Sequence, residues 1–350
     1  MCVTTTPPPP PASPAAFPTP APSPAPWPAP ASAPAAPLDL PLIGHTYPEL
    51  MRTPRARWWN PLASLGMVVA GVTAVSVLLL VPMALVLFAQ LDPEELWSEA
   101  GPSEAAFELA FFSAPMVLLN NLLLAALIGV ALLAVLVAHP VQARFLHSVE
   151  GRVRWRWLLR AHLVLLPLFV VYILGAWLLD GARVLPRAED WVWLLVMAFL
   201  LTPFQAAGEE YLFRGWVMLA IGAWIRRPVV TVAVSAVVSA VAFALAHGSL
   251  DPWILLDLAV FAVAAVILTW RTGGLEAAVA LHVVNNVVII VFGSLTGLDK
   301  ESYVTDSAQG DPFATALSAA VVTLATVLLI WQAKRAGVER TVPAAVGARP

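Results

Sequence analysis

The sequence is poor in cysteine and in charge. Its 350 residues include one cysteine, Cys2, and only 12% Asp, Glu, Lys and Arg. One cysteine excludes an intrachain disulfide framework, a thiolate zinc site and a buried cysteine nucleophile. The formal net charge of −3 gives no basic face of the kind that nucleic acid requires, so no nucleic-acid partner is expected.

Hydrophobic residues make up 60% of the chain. Soluble domains are nearer half apolar and a quarter charged, so this composition indicates a bilayer. A membrane helix needs roughly 20 apolar residues, and eight segments meet that need. The predicted spans cover residues 61–90, 109–138, 158–179, 191–222, 229–246, 253–270, 275–293 and 313–331. The predicted fold is an all-α integral membrane bundle of eight transmembrane helices with an intramembrane polar cavity.

Proline separates the first fifty residues from the rest. Seventeen of the 32 prolines precede residue 50, and Pro7–Pro11 is an unbroken run. Such a segment favours extended, solvated polyproline conformation over a packed element. We therefore predict a disordered cytoplasmic tail over 1–50, acting as a spacer or as a ligand for an aromatic-groove domain. The transmembrane domain is expected at 58–333 and a second cytoplasmic tail at 334–350.

The positions of lysine and arginine predict the orientation. They cluster before the first predicted span, after the last, and in the second, fourth and sixth connections, whereas the first and seventh connections are mostly acidic. The basic residues are Arg52, Arg55, Arg57, Arg144, Arg152, Arg154, Arg156, Arg160, Arg226, Arg227, Arg271, Lys334, Arg335 and Arg340. Basic connections stay cytoplasmic, which predicts a multi-pass protein of the plasma (inner) membrane with both termini cytoplasmic.

Three polar motifs interrupt the later spans. They are Gly-Glu-Glu-Tyr-Leu-Phe-Arg-Gly at 208–215, Phe-Ala-Leu-Ala-His at 243–247 and His-Val-Val-Asn-Asn at 282–286. An ionisable group near the bilayer centre costs at least about 2.5–3.5 kcal/mol, so such groups are functional candidates. The structural alternatives are an interfacial histidine and a Glu–Arg clasp between helices. Asp257, Asn120 and Asn121 are weaker candidates, favoured as structural or interhelical hydrogen-bond partners. Asn285 is an alternative to Asn286, since both lie near the face of His282.

Helical spacing separates the two glutamates of the first motif. Glu210 and Arg214 are four residues apart and can pair on one face. Glu209 lies about 140° around the axis from Arg214, which leaves it free for chemistry. His282 and Asn286 also share a face. His247 and Glu209 are equally distant from the turn at Pro228, which predicts similar depth in the membrane.

Two features of the first motif's helix bear on packing. Gly208 and Gly215 would let a neighbouring helix approach closely. Residues 191–227 are too long for one perpendicular span at about 1.5 Å per residue. The helix is therefore expected to bend near Pro203 or Gly208, or to extend beyond the bilayer.

The ordered set of Glu-Glu-x-x-x-Arg, Phe-x-x-x-His and His-x-x-x-Asn resembles the CPBP family of CAAX-processing and bacteriocin-processing intramembrane proteases, also called Abi or Rce1-like. The resemblance covers roughly residues 190–293, the expected protease-like core. It implies an eight-helix bundle in which Glu209 activates water and His247 shares it. It also implies that His282 and Asn286 stabilise the oxyanion, while Glu210 and Arg214 hold the site in shape.

The expected activity is endopeptidase cleavage of a hydrophobic or lipid-modified peptide in or beside the bilayer. Glu209, His247 and His282 are also acceptable zinc ligands, although a His-Glu-x-x-His signature is absent. The sequence favours a metal-independent glutamate and leaves a zinc metalloendopeptidase as the alternative. Another class, a non-hydrolytic peptide-binding or bacteriocin-immunity protein, would use the same cavity. A secondary transporter would predict internal repeats, and none is evident.

Overall fold

The computed structural model describes Met1 and residues 38–90, 113–302 and 309–345. Helices dominate this part of the chain. In chain order they are α1 Asn60–Gln90, α2 Ala114–Ala138, α3 Trp155–Leu179, α4 Trp191–Leu200, α5 Thr202–Glu210, α6 Val217–Trp224, α7 Pro228–His247, α8 Pro252–Thr272, α9 Glu276–Thr296 and α10 Pro312–Arg335. A π-helical segment, Tyr211–Trp216, joins α5 to α6. The all-helical prediction is confirmed.

The fourth predicted span is broken. Seven of the described helices are long and apolar enough to cross a membrane, and the α4–α6 unit makes the eighth when taken as one span. Its axis bends by 46° at Leu201. Pro203 follows the break, and proline both lacks an amide donor and clashes with the preceding turn. The predicted bend near Pro203 is thus present, and it shortens the depth that this long segment covers.

Helix α9 lies inside the bundle. It packs against α3, α4, α5 and α8. Small or apolar residues make this possible, since Ala277, Ala278, Ala280 and Leu281 are fully buried on it. The polar residues of α9 therefore face neighbouring helices rather than lipid.

Residues 38–50 differ from the predicted disordered tail. A short 3₁₀ turn, Tyr47–Glu49, inserts into the bundle, and Tyr47, Leu50 and Met51 are completely buried. The Tyr47 hydroxyl donates to the Leu146 carbonyl at 2.6 Å. Burial of these three large side chains offsets the conformational entropy that is lost when the stretch becomes ordered. The high proline content of the tail gave no indication of this burial. Residues 2–37 of the predicted tail lie outside the described part.

A buried ion pair ties distant segments together at the arginine-rich end of the bundle. Arg154 and Glu276 pair at 2.5 Å with side chains 6% and 4% exposed. The same guanidinium donates to the carbonyls of Thr272 and Glu339, each at 3.0 Å. The start of the predicted C-terminal tail is therefore folded onto the bundle, and Val342 within it is 1% exposed.

The two glycines of the first motif have different neighbours. A Cβ at Gly208 would lie 1.9 Å from the Leu124 carbonyl oxygen, so α2 and α5 touch backbone to backbone there. A Cβ at Gly215 would instead meet the side chains of Leu146 and Leu275 at 3.2 and 3.3 Å. The close helix approach predicted for both glycines is found at Gly208, while Gly215 faces connecting segments.

We expect Gly208→Ala to destabilise the protein by about 1–3 kcal/mol or more, because the added methyl must displace the α2 backbone. The measurement is the midpoint of thermal unfolding in detergent. Gly129→Ala is the matched control, because Gly129 lies in α2 and a Cβ added there would have no neighbouring atom within 4 Å. Equal midpoints for the two variants would contradict the close contact.

Buried histidines should make stability depend on pH. His139, just after α2, is 4% exposed, and burial lowers its pKa to about 4. Below the unfolded-state pKa of about 6.5 the unfolded chain binds a proton that the folded chain does not. The free energy of unfolding therefore decreases as the pH is lowered. Lowering the pH from 7.5 to 5 should reduce the free energy of unfolding by about 2 kcal/mol through this residue. Thermal unfolding at both pH values should show a smaller loss for His139→Gln than for the wild type; an unchanged loss would contradict it.

Candidate active site

The first motif spans the end of α5 and the π-helical segment. Glu209 and Glu210 are the last residues of α5, and Arg214 lies within Tyr211–Trp216. A π-helical turn inserts an extra residue per turn and often marks a functional site. Here it follows the glutamates directly and carries their arginine.

Glu210 forms the centre of a fully buried ionic chain. Its Oε1 accepts a hydrogen bond from Arg214 Nη1 at 2.9 Å, and both side chains have zero exposure. The same oxygen lies 2.8 Å from Nδ1 of His282. The predicted Glu210–Arg214 pair is confirmed, and it also holds the histidine of the third motif.

Glu209 faces a different set of groups. Its side chain makes no ion pair with Arg214 and is held instead by Gln205, whose Nε2 lies 2.5 Å from Oε1. Its other oxygen, Oε2, lies 3.8 Å from Nε2 of His282. That separation is too long for a direct hydrogen bond. One imidazole therefore lies between a glutamate paired with arginine and a second glutamate that has no arginine partner among the described residues.

Asn286 joins this group through Gln205. Its Nδ2 donates to the Gln205 Oε1 at 3.3 Å. Asn285 instead donates to the Asn286 side chain at 3.1 Å, so it supports its neighbour from the side. His282 and Asn286 thus project from one face of α9 toward α5, as their spacing predicts.

His247 stands apart from the hydrogen-bonded network. It is the last residue of α7, and its Nδ1 bonds the Phe243 carbonyl at 2.7 Å. Within the described residues, no His247 nitrogen forms an ion pair with Glu209. An aromatic ring links His247 to His282 instead, since Phe243 lies 4.5 Å from the His247 ring and 5.8 Å from that of His282. Equal sequence distance from Pro228 did not produce a direct ion pair; the stretch from Glu209 to Pro228 contains the π-helical segment and the non-helical residues 225–227, so it is not one regular helix.

Aromatic rings seal one side of the network. Phe243 lies over the Arg214 guanidinium at 4.7 Å, and Phe261 of α8 lies 5.1 Å from the His282 ring. Such packing keeps the charged groups dry and gives the guanidinium a favourable cation–π contact. Asp257, one turn before Phe261 on α8, interacts with Ser318 of α10, in keeping with its predicted structural role.

As they lie, Glu209, His247 and His282 do not form a metal-binding group. Among residues 38–90, 113–302 and 309–345, no three His, Cys, Asp or Glu side chains are placed to hold a metal ion. The nitrogens of His282 are directed at the two glutamates, and one nitrogen of His247 is taken by a backbone carbonyl. This arrangement does not fit zinc on those ligands.

Sequence reasoning missed Gln205 and a contact to Tyr211. His147, in the connection after α2, lies 2.5 Å from the Tyr211 hydroxyl through its Nδ1, next to the glutamates. No local pattern indicates this contact, because 64 residues separate the partners. Gln205 did leave a signal: it is a polar residue in an apolar span, one helical turn before Glu209.

Comparison with known proteins gives a match over the same region. Residues 190–288 match the family model described as type II CAAX prenyl endopeptidase Rce1-like. The protein YyaK of Bacillus subtilis (strain 168), described as uncharacterized, is 28% identical over 110 residues, which is 30% of this chain and 36% of that relative. No solved structure gives a significant match. The resemblance that the three motifs predict is confirmed: residues 190–288 of this membrane protein match the Rce1-like family.

Proposed function

We propose that this protein is an intramembrane endopeptidase in which Glu209 activates a water molecule for attack on a peptide bond. The observation that carries the proposal is that the two adjacent glutamates have different partners. Glu210 is paired with Arg214, whereas in the described part of the chain Glu209 has an amide donor on one oxygen and His282 Nε2 at 3.8 Å from the other, with no arginine partner. A carboxylate without a cationic partner keeps its capacity to accept a proton.

The nucleophilic water binds beside Oε2 of Glu209 and Nε2 of His282 in this proposal. Atoms 3.8 Å apart can both hydrogen-bond one water at ordinary distances. Glu209 takes a proton as the water oxygen bonds to the scissile carbonyl carbon. It then returns that proton to the departing amine, so that one residue acts first as base and then as acid.

The oxyanion requires hydrogen-bond donors. An amide nitrogen has two N–H groups, and Asn286 uses one of them on Gln205, which leaves the second for the substrate. The contact with ionised Glu210 favours a proton on Nδ1 of His282. His282 can therefore donate from Nε2 only when it is doubly protonated; when neutral, its Nε2 accepts from the water instead.

The proposed substrate is a membrane-associated or lipid-modified peptide. The network lies on helices that are apolar enough to span a bilayer, and Glu209 is only 7% exposed. A polar, extended peptide would have to lose its hydration to reach such a site. The description of the matching family as a CAAX prenyl endopeptidase supports the same class.

A second candidate is a membrane protein that binds a peptide without cleaving it, as bacteriocin immunity would require. The position of His247 favours this function, because the histidine that should share the water bonds the Phe243 carbonyl and, among the described residues, forms no ion pair with Glu209. Binding would need the buried polar network but not the basicity of Glu209.

Peptide cleavage by the purified protein in detergent separates the two candidates. We expect Glu209→Ala and Glu209→Gln each to reduce cleavage by about 10²–10⁴, the usual contribution of a general base. The probe is a mixed library of lipidated and unmodified hydrophobic peptides, with products identified by mass spectrometry. Glu189→Gln, in the exposed connection before α4, is the matched control and should cleave as the wild type does.

Three further comparisons complete that experiment. Loss of activity in His247→Ala would place this histidine in the reaction, while full activity would restrict it to packing. A zinc chelator should leave the rate unchanged if the glutamate acts without a metal. Full cleavage by a folded Glu209→Gln protein would contradict the peptidase mechanism, and peptide binding without cleavage by the wild type would favour the second candidate.

A further inference from the structure

Gln205 lies outside all three sequence motifs, yet it contacts two of them. It belongs to α5, one helical turn before Glu209, and its side chain is buried at 8% exposure. Unpaired polar groups at such depth are costly, so a buried amide needs partners at both of its ends. Gln205 has one partner on its own helix and one on α9.

The orientation of the Gln205 amide follows from its partners. A carboxylate only accepts hydrogen bonds, so the end that faces Glu209 at 2.5 Å must be the NH₂ group. The carbonyl oxygen then faces Asn286, whose own NH₂ group donates to it at 3.3 Å. Donor and acceptor roles agree along the whole chain from Asn286 through Gln205 to Glu209.

We infer that Gln205 is a positioning residue that fixes both the general base and the oxyanion donor. By holding Oε1 of Glu209 it directs Oε2 toward His282, where the nucleophilic water is proposed to bind. By accepting from Asn286 it orients the remaining N–H group of that amide. The inference rests on the proposed peptidase function for its catalytic consequence, but the placement of the Glu209 carboxylate can be measured without a substrate.

Substitution by methionine tests the hydrogen bonds separately from the packing. Methionine has nearly the same length and volume as glutamine but offers no strong donor or acceptor. A residue that only fills space would tolerate Gln205→Met. Gln332→Met in α10 is the matched control, because the same change is made on a membrane helix outside the network.

The first readout is the rate at which a hydrophobic carbodiimide modifies Glu209, located by mass spectrometry in the full-length protein. Loss of a hydrogen bond to a charged group is expected to release the carboxylate and raise this rate about tenfold in Gln205→Met. Asp257 serves as the internal reference, because general loosening of the bundle would raise its modification as well. An unchanged Glu209 rate, or equal increases at Glu209 and Asp257, would overturn the inference.

The second readout is the kinetics of the best-cleaved peptide of the library. Misplacement of a catalytic group by about 1 Å can cost 10²-fold, so Gln205→Met should lower kcat by about 10- to 100-fold with little change in KM. Wild-type kcat in Gln205→Met beside an inactive Glu209→Ala would overturn the positioning role and leave the peptidase intact. Wild-type cleavage by Glu209→Ala would instead overturn the proposed function, while the carbodiimide rates would still decide whether Gln205 holds Glu209.

Discussion

Arg214, Glu210 and His282 form a buried hydrogen-bonded chain, and the arrangement of the surrounding helices depends on keeping it paired. Removing one partner of a buried ion pair typically costs about 3–5 kcal/mol, since the other charge is left unpaired. The pair joins Glu210, the last residue of α5, to Arg214 in the π-helical segment, and the His282 imidazole reaches it from α9. α9 must therefore stay close to α5, which in turn fixes the positions of Glu209, Gln205 and Asn286 relative to one another.

Departures from regular helix geometry provide the space for that chain. The bend at Leu201 and the π-helical segment at Tyr211–Trp216 enclose α5, the nine-residue helix that carries both glutamates. Gly208 in the same short helix brings α2 to backbone contact. Close packing of α2 on α5 and the hydrogen bond from Gln205 hold the Glu209 side chain in the position that the proposed general base requires.

The arginine-rich end of the bundle is held together by contacts that do not involve Glu210, Arg214 or His282. Arg154, just before α3, pairs with Glu276 at the start of α9 and donates to the Glu339 carbonyl. Tyr47 bonds Leu146 in the α2–α3 connection, and His147 of that connection contacts Tyr211 at the start of the π-helical segment. This bracing makes the position of α9 depend on residues far from the polar motifs. It also accounts for the burial of Tyr47 and Leu50, which a proline-rich composition did not indicate.

Local sequence determined the helical fold, the eight apolar segments, the bend near Pro203 and the Glu210–Arg214 pair, because hydrophobic length, proline and four-residue spacing act over short distances. Only the tertiary structure decided the hydrogen-bond partners of His282 and Gln205 and the lack of an ion pair between the described residues His247 and Glu209. Equal residue counts bring two side chains together only along regular helices, and the stretch from Glu209 to Pro228 contains a π-helical segment. Contacts such as those of Glu210 with His282 and of Gln205 with Asn286 join residues 72 and 81 positions apart, and they follow from helix packing, which no local pattern encodes.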